Sequence, residues 1–89
     1  MLHHIVFYTK PGCHLCADTL QLLNDLRGEF DLTIDEIDIT TDAALFKKYF
    51  DKIPVLLIDD RVTLAAPIHQ QDVRAALSSP KFQRVPQRF

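Results

Sequence analysis

The first half of this 89-residue chain alternates between compact apolar runs and apolar residues at helical spacing. Residues 3–9 are rich in β-branched and aromatic side chains, which is typical of a strand buried on both faces. The Pro-Gly pair at residues 11–12 ends this strand, because proline lacks a backbone donor and glycine relaxes the backbone. Leucines then recur at helical spacing over residues 13–27, which predicts an amphipathic helix that ends at a cation followed by a glycine.

The middle of the chain predicts a second strand and a short helix. Residues 32–39 have the isoleucine content of a strand, but their alternation changes phase near Asp35 and Glu36. A bulge at that point would reconcile the two phases. Residues 43–50 follow side chains suited to a helix N-cap and predict a short helix. We expect the aromatic residues of this helix to pack in the core; if partly exposed, they would form a docking patch beside Pro54. They are Phe46, Tyr49 and Phe50.

The remaining pattern predicts a hairpin and a closing helix. Residues 53–58 form an apolar run, two aspartates at 59–60 suit a tight turn, and residues 61–64 return as a fourth strand. A helix over residues 68–77 follows. The order β-α-β-α-β-β-α predicts an α/β fold with a four-stranded mixed sheet. Its first half is a right-handed βαβ unit, and helices cover both faces of the sheet.

The bulk composition is that of one small globular domain. Hydrophobic residues make up 47% of the chain and charged residues 25%, and the net charge is −2. This balance gives no reason to expect binding to nucleic acid. No apolar run approaches the roughly 18 residues that span a bilayer, and the first residues lack the basic cluster of a secretory signal. We therefore expect a cytoplasmic monomer without a membrane segment.

The last residues differ in charge from the rest. We assign residues 1–79 to the domain and residues 80–89 to a basic C-terminal tail, which we expect to be poorly ordered. The tail carries three cations and no anion, namely Lys81, Arg84 and Arg88. An alternative role for the tail is to bind an acidic partner.

The two cysteines of the chain, Cys13 and Cys16, are separated by two residues at the predicted start of the first helix. The positive end of the helix dipole stabilises a thiolate there, and the thiolate is the nucleophile in disulfide exchange. The second thiol lies one turn along, close enough to form a disulfide with the first. In a cytosolic protein such a pair is usually catalytic, redox-sensing or metal-binding.

Two other interpretations of the cysteines stay open. They could be incidental apolar side chains, since free cysteine often behaves as a small hydrophobe. They could also bind zinc together with histidines. The histidines available are His3, His4, His14 and His69. Structural zinc sites usually draw on a second ligand pair at a distance, so we predict no metal site.

The segment over residues 7–16, with Cys13 and Cys16 between a strand and a helix and with Pro54 at the start of the third strand, resembles the glutaredoxin branch of the thioredoxin superfamily. It is most similar to small bacterial glutaredoxin-like proteins. The resemblance covers the chain from about His3 to Ser79 and implies the thioredoxin-like fold. It also implies a redox-active disulfide.

The resemblance assigns a role to each matching residue. Cys13 matches the attacking cysteine, Cys16 the resolving cysteine, and Pro54 the proline kept cis beside the active site. A cis bond there would turn the Ile53 backbone toward the sulfurs, where an extended substrate could pair with it. Lys10 matches a basic residue that many glutaredoxins use near the thiolate and the glutathione carboxylate, which makes it a predicted substrate contact together with Ile53 and Pro54. From its position we expect His14 to tune the thiolate electrostatically when it is protonated.

The chain departs from the glutaredoxin pattern where glutathione is usually held. Glutaredoxins carry a Gly-Gly turn and an acidic pair after the fourth strand, whereas this chain has Ala65-Ala66-Pro67-Ile68-His69. The two alanine side chains and the proline ring restrict the backbone at the position where two glycines would leave it free to turn. Glutathione is therefore a possible but doubtful reductant, and no bound cofactor is required because the dithiol carries the electrons.

These observations predict a cytoplasmic thiol-disulfide oxidoreductase with a part in cell redox homeostasis. It would reduce protein or mixed disulfides, and its partners would be a disulfide-bearing protein and a reductase or glutathione. The alternative is a non-enzymatic binding module on the same scaffold. In that case the cysteines would serve as a redox sensor or a metal clip.

Overall fold

A computed structural model describes residues 2–78 of the chain. Its elements are β1 (Leu2–Thr9), α1 (His14–Leu26), β2 (Asp31–Asp38), α2 (Ala43–Tyr49), β3 (Val55–Ile58), β4 (Val62–Ala65) and α3 (Gln70–Ser78). This is the predicted order, and each boundary lies within two residues of its predicted position. The tail at residues 80–89 lies outside the described residues, so its prediction stays untested.

The strands form one sheet in the order β2-β1-β3-β4. β1 and β2 are parallel, whereas β3 is antiparallel to both of its neighbours, β1 and β4. The predicted mixed sheet with a βαβ unit is therefore confirmed. Among the helices of residues 2–78, none has the length and apolar character needed to cross a bilayer.

The predicted bulge in the second strand is wrong. β1 and β2 pair without interruption from Leu2 opposite Asp31 to Thr9 opposite Asp38. The apolar phase changes inside the paired strand, because Ile34 and Ile37 lie on opposite faces of the sheet, opposite Ile5 and Tyr8 respectively. Ile39 follows the strand in a short 3₁₀ turn and is fully buried there.

The main core lies on one face of the sheet, between the sheet and the helices α1 and α3. The sheet contributes the fully buried side chains of Ile5, Phe7, Leu56 and Ile58. The helices contribute the buried Leu23, Leu26, Val73 and Leu77. Because both central strands and two helices share this core, α1 is held in a fixed position relative to the end of β1.

The opposite face of the sheet is covered by α2 through an aromatic contact. Tyr8 lies on this face, and its ring centroid is 4.7 Å from that of Tyr49. The prediction that the aromatic residues of α2 pack in the core is wrong for Phe46 and Phe50, which are 42% and 52% exposed. They stack on each other instead, at 5.7 Å between centroids, because the short α2 turns only part of its apolar side toward the sheet.

The predicted tight turn joins β3 to β4. Asp59 and Asp60 both adopt positive φ values, 53° and 57°, and the Arg61 N–H donates to the Ile58 carbonyl at 3.0 Å. Aspartate tolerates this left-handed backbone better than most residues, because its short side chain forms local hydrogen bonds.

Asp59 also connects this turn to the first residues of β1. Its Oδ2 lies 2.7 Å from Nδ1 of the buried His3, and its Oδ1 accepts the His4 N–H at 2.8 Å. Burial alone would raise the pKa of Asp59, but the hydrogen bonds from His3 and His4 and the charges of His3 and Arg61 outweigh it. The pKa of Asp59 is therefore lowered.

Asp59→Asn should lower the free energy of unfolding at neutral pH by about 1–3 kcal/mol, because hydrogen bonds to a charged group are lost or weakened. A carboxyl whose pKa is lowered by folding stabilises the native state above its unfolded pKa of about 3.9. That contribution is lost as the pH falls through the folded value. The difference between the two proteins in urea denaturation should consequently shrink below about pH 4.

Asp60→Asn is the matched control, since Asp60 has the same backbone conformation and is exposed. It should change the free energy of unfolding by less than about 0.5 kcal/mol. Equal effects of the two substitutions at neutral pH would contradict the role assigned to the contact between His3 and Asp59.

Candidate active site

Cys13 and Cys16 form a disulfide at the start of α1, with their Cα atoms 5.2 Å apart. Cys13 is the N-cap of the helix, one residue before the first helical residue, and has an extended backbone. Its Sγ accepts a hydrogen bond from the Cys16 N–H at 3.1 Å. The sulfur therefore occupies the position in which an N-cap side chain satisfies an unpaired helical N–H.

The two sulfurs have different environments. Cys16 is 3% exposed and belongs to the main core, whereas Cys13 is half-buried and packs at the edge of that core. A reagent or substrate can thus reach Cys13 more readily than Cys16. This inequality suits an attacking thiol and a resolving thiol.

The loop between β1 and α1 presents Cys13 at the end of the sheet. β1 ends at Thr9, and Gly12 has a φ of 77°, in the left-handed region that favours glycine. This backbone reversal sends the chain from the sheet into α1. The proline followed by a glycine in the sequence predicted this turn correctly.

Pro54 lies beside the first turn of α1. The Ile53–Pro54 peptide bond is cis, as the resemblance implies, and Pro54 is buried. Pro54 precedes Val55, which pairs with Tyr8 near the end of β1, and it shares a cleft with Leu15. The structure thus brings Ile53 and Pro54 to the same end of the sheet as the disulfide.

This cleft, which we call the Pro54 cleft, has a volume of about 180 Å³. One wall is part of α1 and the other is formed by Pro54 and the connector between β4 and α3. The lining residues are Leu15, Asp18, Thr19, Leu22, Pro54, Ala66, Pro67 and Ile68. The Ala66–Pro67 bond is also cis, and the Ala66 N–H donates to the Lys52 carbonyl at 3.3 Å, which connects the connector to the segment before Pro54.

Sequence reasoning did not identify most of the Pro54 cleft as a functional surface. The available signal was the spacing of Leu15, Asp18 and Leu22, which places these three side chains on one side of a helix. The opposing wall comes from residues about 50 positions later, and their approach to α1 depends on the tertiary fold.

Lys10 and His14 flank the disulfide in the chain and are both exposed. Lys10 lines a second depression of about 340 Å³ with Thr9, Pro11, Glu36 and Asp38, which we call the Lys10 groove. Within residues 2–78, neither the Lys10 nor the His14 side chain forms a hydrogen bond or an ion pair. Both are thus available to a substrate or to a charged sulfur, and their roles stay predictions.

The structure does not assemble the zinc ligands considered from the sequence. His3 and His4 lie at the start of β1, whereas Cys13 follows its far end. His3 contacts Asp59, and the Nδ1 atom of His4 lies 3.1 Å from the Thr33 hydroxyl. The described part of the chain holds no group of three or more His, Cys, Asp or Glu side chains arranged for a metal ion.

Comparison with known proteins identifies relatives of the whole domain. A glutaredoxin-like protein of Dictyostelium discoideum, named as a homolog of YDR286C, is 37% identical over 67 residues, which are 66% of this chain and 60% of that protein. The chain therefore spans less than two thirds of that relative. An uncharacterized protein of Mycobacterium tuberculosis (strain H37Rv) is 27% identical over 79 residues, which are 83% of this chain and 81% of that protein.

Solved structures show the same architecture. A crystal structure of target protein XcR50 from X. campestris superposes with a TM-score of 0.72 at 28% identity, covering 84% of this chain and 96% of that one. The solution structure of Ne2328 from Nitrosomonas europaea gives 0.73 at 25% identity, covering 84% and 91%. A thioredoxin mutant from Halobacterium salinarum gives 0.69 at 16% identity, covering 94% and 78%, which supports the fold alone.

The family model described as the glutaredoxin-like domain (DUF836) matches residues 4–78, which include both cysteines and Pro54. The match covers most of the 89 residues and agrees with the strand order, the N-cap disulfide and the cis proline described above. The chain belongs to the glutaredoxin-like (DUF836) family and has the thioredoxin fold.

Proposed function

We propose that the protein is a cytoplasmic thiol-disulfide oxidoreductase that reduces protein or mixed disulfides. The observation that carries the proposal is the half-buried sulfur of Cys13 at the helix N-cap, joined to the buried sulfur of Cys16. The disulfide joins two cysteines three positions apart, so it spans a single turn at the start of α1. Such a pair suits transient rather than permanent cross-linking.

In the reduced protein the Cys13 thiolate attacks one sulfur of a substrate disulfide. A bond forms between Cys13 and that sulfur, the substrate S–S bond breaks, and the departing thiolate takes a proton. The Cys16 thiolate then attacks the Cys13 sulfur. This step releases the second substrate thiol and leaves the Cys13–Cys16 disulfide. The substrate gains two electrons and the protein loses two, which an external thiol reductant or a reductase restores.

Local electrostatics favour the thiolate form of Cys13 over that of Cys16. The Cys16 N–H points at the Cys13 sulfur at 3.1 Å, and the helix dipole adds its positive end at the same place. Lys10 and protonated His14 would add positive charge from the exposed side. Burial penalises a charged sulfur at Cys16, so the order of attack follows from the two environments.

Ile53 and Pro54 supply the contact for the substrate backbone in this proposal. The Ile53 N–H already donates to the Tyr49 carbonyl at 3.1 Å. Its carbonyl is therefore the group that would accept an N–H from an extended substrate segment. Such a bond would align the substrate sulfur with Cys13.

The reductant that we propose is a thioredoxin-type reductase rather than glutathione. The connector that would face glutathione carries Ala65, Ala66 and a cis Pro67 in place of a Gly-Gly turn. Proline has no N–H to donate, and the methyl groups occupy space that a ligand backbone would need.

A second candidate function is a binding module whose cysteines serve as a sensor. The observation that favours it is the exposed, stacked pair of Phe46 and Phe50 on α2, since large exposed aromatic side chains often mark contact surfaces. The test is thiol release from a model peptide disulfide mixed with the reduced protein, with dithiothreitol alone as the reference. Turnover supports the enzyme, whereas an inert pair in a protein that still binds a partner supports the module.

A further inference from the structure

The Pro54 cleft is an apolar surface next to the reactive disulfide. Of the eight residues within 2–78 that line it, six are apolar, and they include Leu15, Leu22 and Ile68. Leu15 lies between the two cysteines in the chain and is 57% exposed. A substrate bound at Cys13 therefore has this apolar surface within reach of the side chains that neighbour its own cysteine.

One carboxylate faces this apolar surface. Among the described residues, Asp18 is the single ionisable side chain that lines the cleft, and Thr19 is its one other polar member. Asp18 is exposed, and within residues 2–78 it forms no ion pair or hydrogen bond through its side chain. The cleft thus combines an apolar wall with one unpaired negative charge.

We propose that the Pro54 cleft selects disulfide substrates that carry a lysine or arginine beside the reactive cysteine. This inference rests on the proposed function and specifies its substrate class. The aliphatic stem of such a residue would cover Leu15, Leu22 and Ile68, and its cationic end would reach Asp18. Long basic side chains commonly bury their stems on apolar surface while the charge stays in water.

The Lys10 groove reinforces this selectivity. Among the described residues that line it, two are carboxylates, Glu36 and Asp38, and one is a cation, Lys10. The hydroxyl and backbone hydrogen bonds from Thr40 lower the pKa of Asp38, so this carboxyl is ionised at neutral pH. Both surfaces that flank the disulfide therefore disfavour an anionic thiol such as glutathione, and they favour a basic protein segment.

The test uses two disulfide peptides that differ only in the residue next to the cysteine, lysine in one and glutamate in the other. The rate of reduction of each by the reduced protein is divided by its rate with dithiothreitol, which removes the intrinsic reactivity of the peptide. The lysine peptide should be reduced about fivefold faster on this scale, as expected for one solvent-exposed charge pair. Because both peptides react with the same Cys13 thiol, the ratio of their two rates does not depend on the reactivity of that thiol.

Asp18→Asn should lower the ratio markedly and leave only the smaller preference that the carboxylates of the Lys10 groove supply. Asp25→Asn is the matched control, because it removes the same charge from the same helix about 10 Å further along the axis. It should leave the ratio unchanged. Equal reduction of the two peptides by the wild-type protein, or an unchanged ratio in Asp18→Asn, would overturn the inference and leave the proposed function intact. Reduction of neither peptide would overturn both.

Discussion

Cys13→Ser should reduce the rate of peptide disulfide reduction to the uncatalysed background. A serine hydroxyl has the size of the thiol but does not ionise at neutral pH, so it cannot attack a disulfide sulfur. Cys16 cannot replace it, because its sulfur is buried in the core at 3% exposure. The measurement is the initial rate of thiol release, with the fold of each variant verified by circular dichroism.

Cys16→Ser is the partner experiment. The first attack still proceeds in this variant, but the resolving thiol is missing, so a mixed disulfide between Cys13 and the peptide should accumulate. Mass spectrometry of the acid-quenched mixture would detect it. Turnover retained in Cys13→Ser, or a mixed disulfide located on Cys16 in the wild-type protein, would contradict the assignment of the two roles.

Leu23→Ala should lower the free energy of unfolding by about 2–5 kcal/mol. The Leu23 side chain is fully buried between α1 and the sheet, so truncation loses its apolar contacts and leaves a cavity. A domain of this size has only about 5–15 kcal/mol of stability in total, so the loss is a large fraction. Urea denaturation of the oxidised protein measures it.

Leu15→Ala is the matched control for stability, since it makes the same substitution on the same helix. Leu15 is 57% exposed, and its truncation should cost less than about 0.5 kcal/mol. Similar losses in the two variants would mean that α1 is not held to the sheet by the core described above.

The element order and the main core were predictable from local patterns. The spacing of apolar residues is typical of a strand in β1 and β3 and of a helix in α1. The side chains that these three elements bury completely are all apolar. The bulge was predicted wrongly because a phase change has two causes that look alike in sequence. A strand can bulge, or it can carry apolar residues on both of its faces, as β2 does with Ile34 and Ile37.

The aromatic residues of α2 show a second limit of prediction from local sequence patterns. Their spacing indicated an apolar side, but how much of that side the sheet covers depends on the length and tilt of the helix. Tyr49 reaches Tyr8, whereas Phe46 and Phe50 extend past the covered surface. No local pattern distinguishes these positions.

The candidate site was predictable where its residues are close in sequence. Cys13 and Cys16 were recognisable from their spacing, and the cis bond before Pro54 came from the resemblance, because no local feature of a proline specifies its isomer. The role that we propose for Asp18 could not be predicted from the sequence. It becomes visible only when the connector at Ala66 and Pro67 approaches α1 across the fold.

The most direct test is the relative rate at which iodoacetamide alkylates the two thiols of the fully reduced protein at pH 7, mapped by mass spectrometry after short exposure. A half-buried sulfur at the helix N-cap should react faster than one enclosed by the core, and we expect Cys13 to be modified at least about tenfold faster than Cys16. Equal rates, or faster modification of Cys16, would show that the helix start does not activate Cys13 and would contradict the redox mechanism.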